Sequence, residues 1–453
     1  MKKQRFVSIF LFAVLVLSLF PVLPAQAAEE FEVDARAALL VEANTGEVLY
    51  EKNIHEELYP ASITKVTAAL LVLDAIEDGR LSLEQEITAS HTALTTDLVP
   101  DGSTANIREG EVLTVKNLLY CLLVVSANEA SNILAEAVDG DISLFVEHMN
   151  EKAQELGCVN THYANTTGLH NPAHYSSAWD IYLICTEALS HELFQTICCT
   201  ATYEVPETNL SKKRTLHTTN YLLSNWRANG YLYSGAQGIK TGSTNEAGQC
   251  LAASAVRGSR TLLSVVLGAE KVTQEDGSKL VKSFSETARL LDHGFNDFSR
   301  RTLLSASDIV QEVPVSFSSE TNYVVVHPEY GIERMLPNDV ALSDITRTVA
   351  LDSEVAEAPI AVGDRLGTIT LSYGDTVYGT VPLLALSDVS VSRLLLFKRD
   401  LSELLHQKWV LYLAVGLVLL IVLVVLLRIS AGRRRRRRRS SIYHSSYHGS
   451  RKR

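Results

Sequence analysis

The stretch Trp409 to Leu427 is almost wholly apolar and long enough to cross a hydrocarbon core of about 30 Å. It divides the chain. Arg433 to Arg439 follow directly, and a basic flank stays on the cytoplasmic side of a membrane, so the body before the span is expected outside and the tail inside. Beside a span, such a run fits anionic lipid headgroups better than nucleic acid. At the other end, Lys2, Lys3 and Arg5 precede an apolar run from Phe6 to Leu23 and then Ala25-Gln26-Ala27. This reads as an export signal over residues 1–27. Pro21 and Pro24 argue against an uncleaved anchor helix.

The net charge of -11 over 453 residues conceals a division. The signal contributes +3 and residues 428–453 contribute +11 with no acid in either, which leaves -25 on the outward body. A surface that acidic excludes nucleic-acid binding. The six cysteines (121, 158, 185, 198, 199 and 250) show no Cys-x-x-Cys spacing and read as mostly buried small residues rather than a disulfide scaffold or a metal site.

Within the body, Pro60-Ala61-Ser62-Ile63-Thr64-Lys65 runs straight into an apolar helical pattern from Val66 to Ile76. Leu70, Leu71, Leu73 and Asp74 sit at spacings expected to give one buried and one wet face, with Ser62 in the first turn. Residues three apart on a helix are neighbours, so the Lys65 amine comes within reach of the Ser62 oxygen. A serine attacks only when a base takes its proton, and a lysine serves only if its amine is partly neutral. Burial and a second cation would both lower its pKa from roughly 10.4, so a second lysine is expected nearby. A serine cap followed by a solvated lysine gives the same pattern, and alone it decides nothing.

Two further stretches qualify. Leu113 to Val125 reads as a helix ending in Ser126-Ala127-Asn128, with helical spacing resuming from Glu129. A Ser-x-Asn at such a junction either caps the second helix or presents a hydroxyl and an amide to a cavity. Gly238-Ile239-Lys240-Thr241-Gly242-Ser243 reads as a strand ending in a cation and a hydroxyl, with a glycine where a side chain would block close approach. Lys240 supplies the second amine. His162, His170 and His174 match no zinc spacing, and neither a metal nor another cofactor is expected. Upstream, Ala37 to Val41 and Val48 to Tyr50 form a hairpin around Asn44-Thr45-Gly46.

Ser62-Ile63-Thr64-Lys65, Ser126-Ala127-Asn128 and Lys240-Thr241-Gly242 occur in the order of the motif set of penicillin-binding proteins and β-lactamases. The chain resembles the low-molecular-mass penicillin-binding proteins, specifically the D-alanyl-D-alanine carboxypeptidases. The Asn44-Thr45-Gly46 hairpin, Asn165 to Leu169, His174-Tyr175-Ser176 and Leu290 to Phe298 agree, so the likeness covers roughly Ala35 to Phe298. It implies an α/β (α+β) penicillin-binding/β-lactamase-like transpeptidase fold. It also implies that Ser62 attacks the penultimate D-Ala carbonyl of a peptidoglycan stem peptide, that Lys65 takes its proton and that Ser126 relays one to the leaving amine. Asn128 would hold the substrate amide, Lys240 and Thr241 the terminal carboxylate, and the N–H groups of Ser62 and Ser243 the oxyanion. β-Lactam antibiotics would then be covalent inhibitors. Val66-Thr67, Thr219 before Asn220, and Arg260, offset so as to face away, depart from the family pattern.

Residues 28–302 are thus expected to form the catalytic domain. From Leu303 to Arg393 short alternating runs (Val313 to Phe317, Tyr323 to Val326, Arg347 to Leu351, Arg365 to Leu371, Val377 to Leu384) predict a small all-β domain, which resembles the C-terminal domain of the same carboxypeptidases. Residues 394–408 read as an amphipathic connection to a C-terminal transmembrane helix over 409–427, and 428–453 as the basic cytoplasmic tail. A serine β-lactamase shares the acylation chemistry, but its class A form needs a glutamate that Tyr163 to Asp180 lacks. A non-catalytic peptidoglycan-binding anchor would have no need of the nucleophile.

Overall fold

The computed structural model describes residues 31–443, with side chains to Arg433; the expected export signal and the last ten residues of the tail lie outside that range. The chain divides after Phe298 into two units.

In the first unit, β1 (Ala37–Glu42) and β2 (Glu47–Lys52) form the hairpin expected around Asn44-Thr45-Gly46. A 3₁₀ turn, Ala61–Thr64, opens directly into α1 (Lys65–Glu77). The short strands β3 (Glu86–Thr88) and β4 (Val112–Thr114) lead to α2 (Val115–Val124), whose first turn is capped by the Thr114 side chain. Next come α3 (Asn128–Asp139), α4 (Ile142–Glu155), α5 (Ala178–Ala188) and α6 (Glu192–Cys198). A small hairpin, β5 (Thr202–Val205) with β6 (Arg214–His217), precedes β7 (Ala236–Thr244), β8 (Gly248–Arg257) and β9 (Arg260–Ala269). The unit closes with α7 (Lys282–Asp297).

The central sheet is antiparallel in the order β2-β1-β9-β8-β7, so β7 is an edge strand. Every residue of β1 is buried, which requires cover on both faces. Ala37, Leu39 and Val41 join the large core built with α1 to α6, and α7 packs on β8 and β9. The wet face expected on α1 is absent. Lys65 to Leu73 are all buried, because α1 touches α2, α3, α4 and α5 at once. A helix surrounded in this way must be apolar almost all round. Asp74 survives at its margin by pairing with Lys152 of α4 at 2.9 Å.

In the second unit a six-stranded sheet runs Thr346–Leu351, Arg365–Tyr373, Thr376–Ala385, Tyr323–Pro328, Gln311–Ser316 and Ala356–Glu357 in spatial order. Alternate residues such as Val313, Val324, Val326, Ile369, Leu371, Val381 and Leu383 form its core, the two-residue period of one-sided burial. All five runs expected from alternation are strands; the sequence reading missed the pair Phe298–Leu304 with Ile332–Pro337. Helix α8 (Arg393–His406) has no buried residue. In α9 (Lys408–Tyr443) the segment Lys408–Arg433 is long and apolar enough to cross a membrane.

Candidate active site

Ser62 lies inside the 3₁₀ turn rather than in the first turn of an α-helix, and Lys65 is the first residue of α1. The spacing still works, since three residues make one 3₁₀ turn. The Lys65 Nζ is 3.0 Å from Ser62 Oγ, and it also donates to Asn128 Oδ1 at 2.7 Å and to the Thr167 carbonyl at 2.9 Å. A neutral amine has two N–H groups and one lone pair. The amide and carbonyl oxygens engage the two N–H groups, and the lone pair then points at the serine.

Lys65 is fully buried. Burial, and next the neighbouring Lys240 charge, hold its pKa well below the ordinary lysine value, against an opposing pull from Glu129. A second lysine thus lies near Lys65, as expected. Lys240 is itself buried, and burial pushes its pKa down to about 7. It donates to Ser126 Oγ at 2.9 Å and to the Thr241 carbonyl at 3.1 Å, which engages two of its three N–H donors.

The junction between α2 and α3 does not spend its polar side chains on capping. Ala127 occupies the N-cap of α3 without a side-chain bond, and Ser126 adopts φ +63°. That left-handed turn, unusual for a non-glycine residue, puts the Ser126 hydroxyl against Lys240 while Asn128 reaches Lys65. Thr241 Oγ1 lies 2.7 Å from Thr219 Oγ1, and Ser243 Oγ accepts from Gln249 at 2.8 Å.

Lys240-Thr241-Gly242 stands in the middle of β7, not at its end. Gly242 faces the turn that carries Ser62: a Cβ there would lie 2.6 Å from the Pro60 carbonyl oxygen and 3.3 Å from Ser62 N. The glycine therefore lets the edge strand lie against the serine turn. Gly168, at φ +80°, does the same from the other side, with a Cβ position only 1.9 Å from the Ala61 oxygen. An open cleft of about 450 Å³ runs past Ser62, lined by Gly102, Ser103 and Asn128 on one wall and by Ser243 to Glu246 on another.

Of the eight residues singled out from the sequence, Ser62, Asn128 and Ser243 line the cleft; Lys65 bonds to the first two, Lys240 bonds to Ser126, Thr241 to Thr219, and Gly242 lies against the Ser62 turn. The family model described as D-alanyl-D-alanine carboxypeptidase matches residues 24–271. The chain belongs to the D-alanyl-D-alanine carboxypeptidase family. A second model, the C-terminal domain of penicillin-binding protein 5, matches residues 298–391. The D-alanyl-D-alanine carboxypeptidase DacF of Bacillus subtilis is 30% identical over 406 residues, covering 88% of this chain and 98% of that protein. Among solved structures, DacD from Francisella tularensis is similar with a TM-score of 0.62 at 25% identity, covering 80% of this chain and 95% of the other. Penicillin binding protein 5 from Haemophilus influenzae is similar at a TM-score of 0.59 and 26% identity, covering 80% and 99%.

Several contributors to this carboxypeptidase-family site escaped the sequence reading. The Thr167 carbonyl has no residue signature, although Asn165 to Leu169 drew notice; Asn165 Oδ1 folds that loop by accepting from Thr167 N and Gly168 N. Buried Glu129 anchors the segment that follows the Gly102-Ser103 wall by accepting from Thr104 Oγ1 at 2.7 Å and Ala105 N at 2.8 Å. His174 accepts from Ala164 N and so donates through Nε2 to Thr64 Oγ1 at 2.7 Å. Burial, with lesser repulsion from His162 and His170, pushes its pKa down to about 3. Arg260, as its offset implied, faces away from the cleft, donating to the carbonyls of Gly294, Phe295 and Phe298.

Proposed function

We propose that the chain removes the terminal D-Ala from peptidoglycan stem peptides through an acyl-enzyme on Ser62. The observation that carries this reading is the Lys65 amine, buried, depressed in pKa and 3.0 Å from the serine oxygen. Ser62 Oγ bonds to the carbonyl carbon between the two D-Ala residues while its proton passes to Lys65 Nζ. The oxyanion develops toward the backbone N–H groups of Ser62 and Ser243, donors of a kind whose loss costs about 3 to 4 kcal/mol elsewhere. The C–N bond then breaks. Ser126 relays a proton to the leaving amine: its oxygen accepts from Lys240, so its own O–H is free to protonate the nitrogen, and the proton taken up by Lys65 replaces it, which returns Lys65 to the neutral form for the water step. The remaining N–H of Lys240, with the Thr241 hydroxyl, receives the terminal carboxylate, and the Asn128 amide N–H holds the substrate backbone. Water hydrolyses the ester and restores Ser62.

The same nucleophile would open a β-lactam ring and stay acylated, because no amine leaves the site. We place the body outside the membrane and residues 428–453 in the cytoplasm, from the basic flank of the apolar helix, with anionic lipid against that flank. The test is mass spectrometry of the detergent-solubilised full chain given a diacyl-D-Ala-D-Ala peptide and, separately, penicillin. Release of one D-Ala per peptide and a slowly lost penicilloyl adduct on Ser62, both abolished by Ser62→Ala, are expected. Rapid penicillin turnover without peptide cleavage would overturn the reading in favour of a β-lactamase.

A further inference from the structure

We propose that the cavity behind the Gly102-Ser103 wall binds a small organic ammonium ion with a short apolar chain, held by Glu129, and that its binding speeds acylation of Ser62. The binding is independent of the carboxypeptidase reading, and the acceleration rests on it. The cavity has a volume of about 710 Å³, within the range of small-molecule sites. It shares Val99, Gly102, Ser103 and Asn128 with the catalytic cleft, yet Ser62 and β7 take no part in its lining. Leu94, Leu98 and Ile107 add apolar wall, and Arg108 and Glu129 bring charge.

Glu129 is only 4% exposed, and a carboxylate so buried is normally paired with a cation. Among the described residues no cation pairs with it: Arg214 pairs with Glu111, and the exposed Arg108 donates to the Leu210 carbonyl at 3.4 Å. The donors that reach Glu129, from Thr104, Ala105 and Ile107, all fall on Oε1. Oε2 accepts from none of the described residues and is not sealed off. A carboxylate offers roughly four acceptor sites over its two oxygens, so half of this one is left for a ligand. No group of three His, Cys, Asp or Glu side chains able to hold a metal occurs among the described residues, whereas an ammonium needs only the one carboxylate and can lay its chain against the leucines. Binding reaches Lys65 through charge. Lys65 is faced by Lys240 from β7, His174 from the loop before α5 and Glu129 from α3, and of these Glu129 alone favours its protonated form. Glu129 is itself faced by Cys121 of α2, whose burial keeps the thiol protonated. An ammonium on Glu129 cancels the pull on Lys65, so more of the amine is neutral at a given pH.

The test titrates the detergent-solubilised full chain with n-butylammonium chloride by calorimetry, with n-butanol and sodium chloride as controls. Penicilloyl adduct formation against pH is followed in parallel by intact-protein mass spectrometry. Saturable binding of butylammonium but not of butanol is expected. The acylation midpoint should fall by about half a pH unit, which makes acylation about threefold faster well below it. Glu129→Gln keeps an oxygen for the Thr104, Ala105 and Ile107 donors and removes the charge. It should lower the midpoint by itself, and butylammonium should neither bind to it nor move its midpoint further. Absence of saturable binding, equal binding of butanol, or undiminished binding to E129Q would overturn the site. Should the variant fail to fold, the comparison of butylammonium with butanol on the unaltered chain decides. Saturable binding with an unmoved midpoint would overturn the coupling to Lys65. Absence of any adduct on Ser62 would instead overturn the acyl-enzyme reading, and calorimetry would still decide the site.

Discussion

Replacing Gly242 by alanine tests how far the site depends on the close approach of β7 to the turn that carries Ser62. The added methyl would stand 2.6 Å from the Pro60 oxygen, 3.2 Å from Ala61 Cβ and 3.3 Å from Ser62 N. Ordinary contact begins near 3.4 Å, so about 0.8 Å must be absorbed. The strand cannot readily retreat, because Thr241 and Gly242 are in register with Leu251 and Cys250 of β8. The softer side is the turn, whose Pro60 oxygen accepts from Ile63 N at a long 3.3 Å. Ser62 Oγ then moves relative to Lys65 and to the oxyanion donors together.

A misplacement of about 1 Å costs on the order of 100-fold in rate. For G242A we expect penicilloyl adduct formation on Ser62 to slow by about 30- to 100-fold, roughly 2 to 3 kcal/mol of barrier. Overpacking should also lower stability by about 1 to 3 kcal/mol. Intact-protein mass spectrometry of adduct formation against time measures the first and thermal melting the second. Gly46→Ala separates the two effects. Gly46 sits at φ +73° with nothing within 4 Å of a Cβ, so that variant should lose about 1 to 2 kcal/mol of stability through backbone strain while acylating normally. G242A that acylates at the unaltered rate would refute the argument that this glycine sets the position of the serine.

Lys240→Met removes a charge that holds the Lys65 pKa down, so the Lys65 pKa should rise and the midpoint of the acylation pH profile should move to higher pH; an unmoved midpoint would contradict the coupling. Asn128→Ala deprives a Lys65 N–H of its closest acceptor, leaving a buried donor at a cost of about 1 to 3 kcal/mol; melting temperature and adduct formation rate should fall together. The His174 pKa is depressed from 6.5 to about 3, so its neutral form contributes stability that is present above pH 6.5 and is lost as pH falls toward 3. Melting temperatures between pH 6.5 and 4 should therefore decline less steeply in His174→Gln than in the unaltered chain.

The parts of the site legible in the sequence are those in which local geometry alone imposes the contact. Ser62 and Lys65 meet because they are one turn apart, and this survives the change from α-helix to 3₁₀ turn. Ser126 and Asn128 were ambiguous because capping and catalysis use the same side chains; only the φ of +63° at Ser126 and the bare cap at Ala127 separate them. The wet face expected on α1 failed for a tertiary reason. Asp74 marks a polar side, but Lys152 from a distant helix covers it, and no pattern within α1 reports what will pack there. The third acceptor of Lys65 is a backbone carbonyl at Thr167, which any residue could supply.

Burying two amines in one core carries a large desolvation cost, several kcal/mol for each charge kept. The first unit lowers this cost without neutralising acids at either nitrogen. Each amine faces only neutral oxygens: a hydroxyl, an amide and a carbonyl for Lys65, and a hydroxyl and a carbonyl for Lys240. Neutral acceptors satisfy N–H groups in either protonation state. A carboxylate in their place would have favoured the ammonium form and removed the base. Glu129, whose charge pulls against the depression of the Lys65 pKa, spends one oxygen on Thr104, Ala105 and Ile107 instead, where it anchors the segment that follows the Gly102-Ser103 wall. The site is thus organised to keep a proton acceptor beside Ser62, a requirement of covalent catalysis that simple recognition of a peptide would not impose.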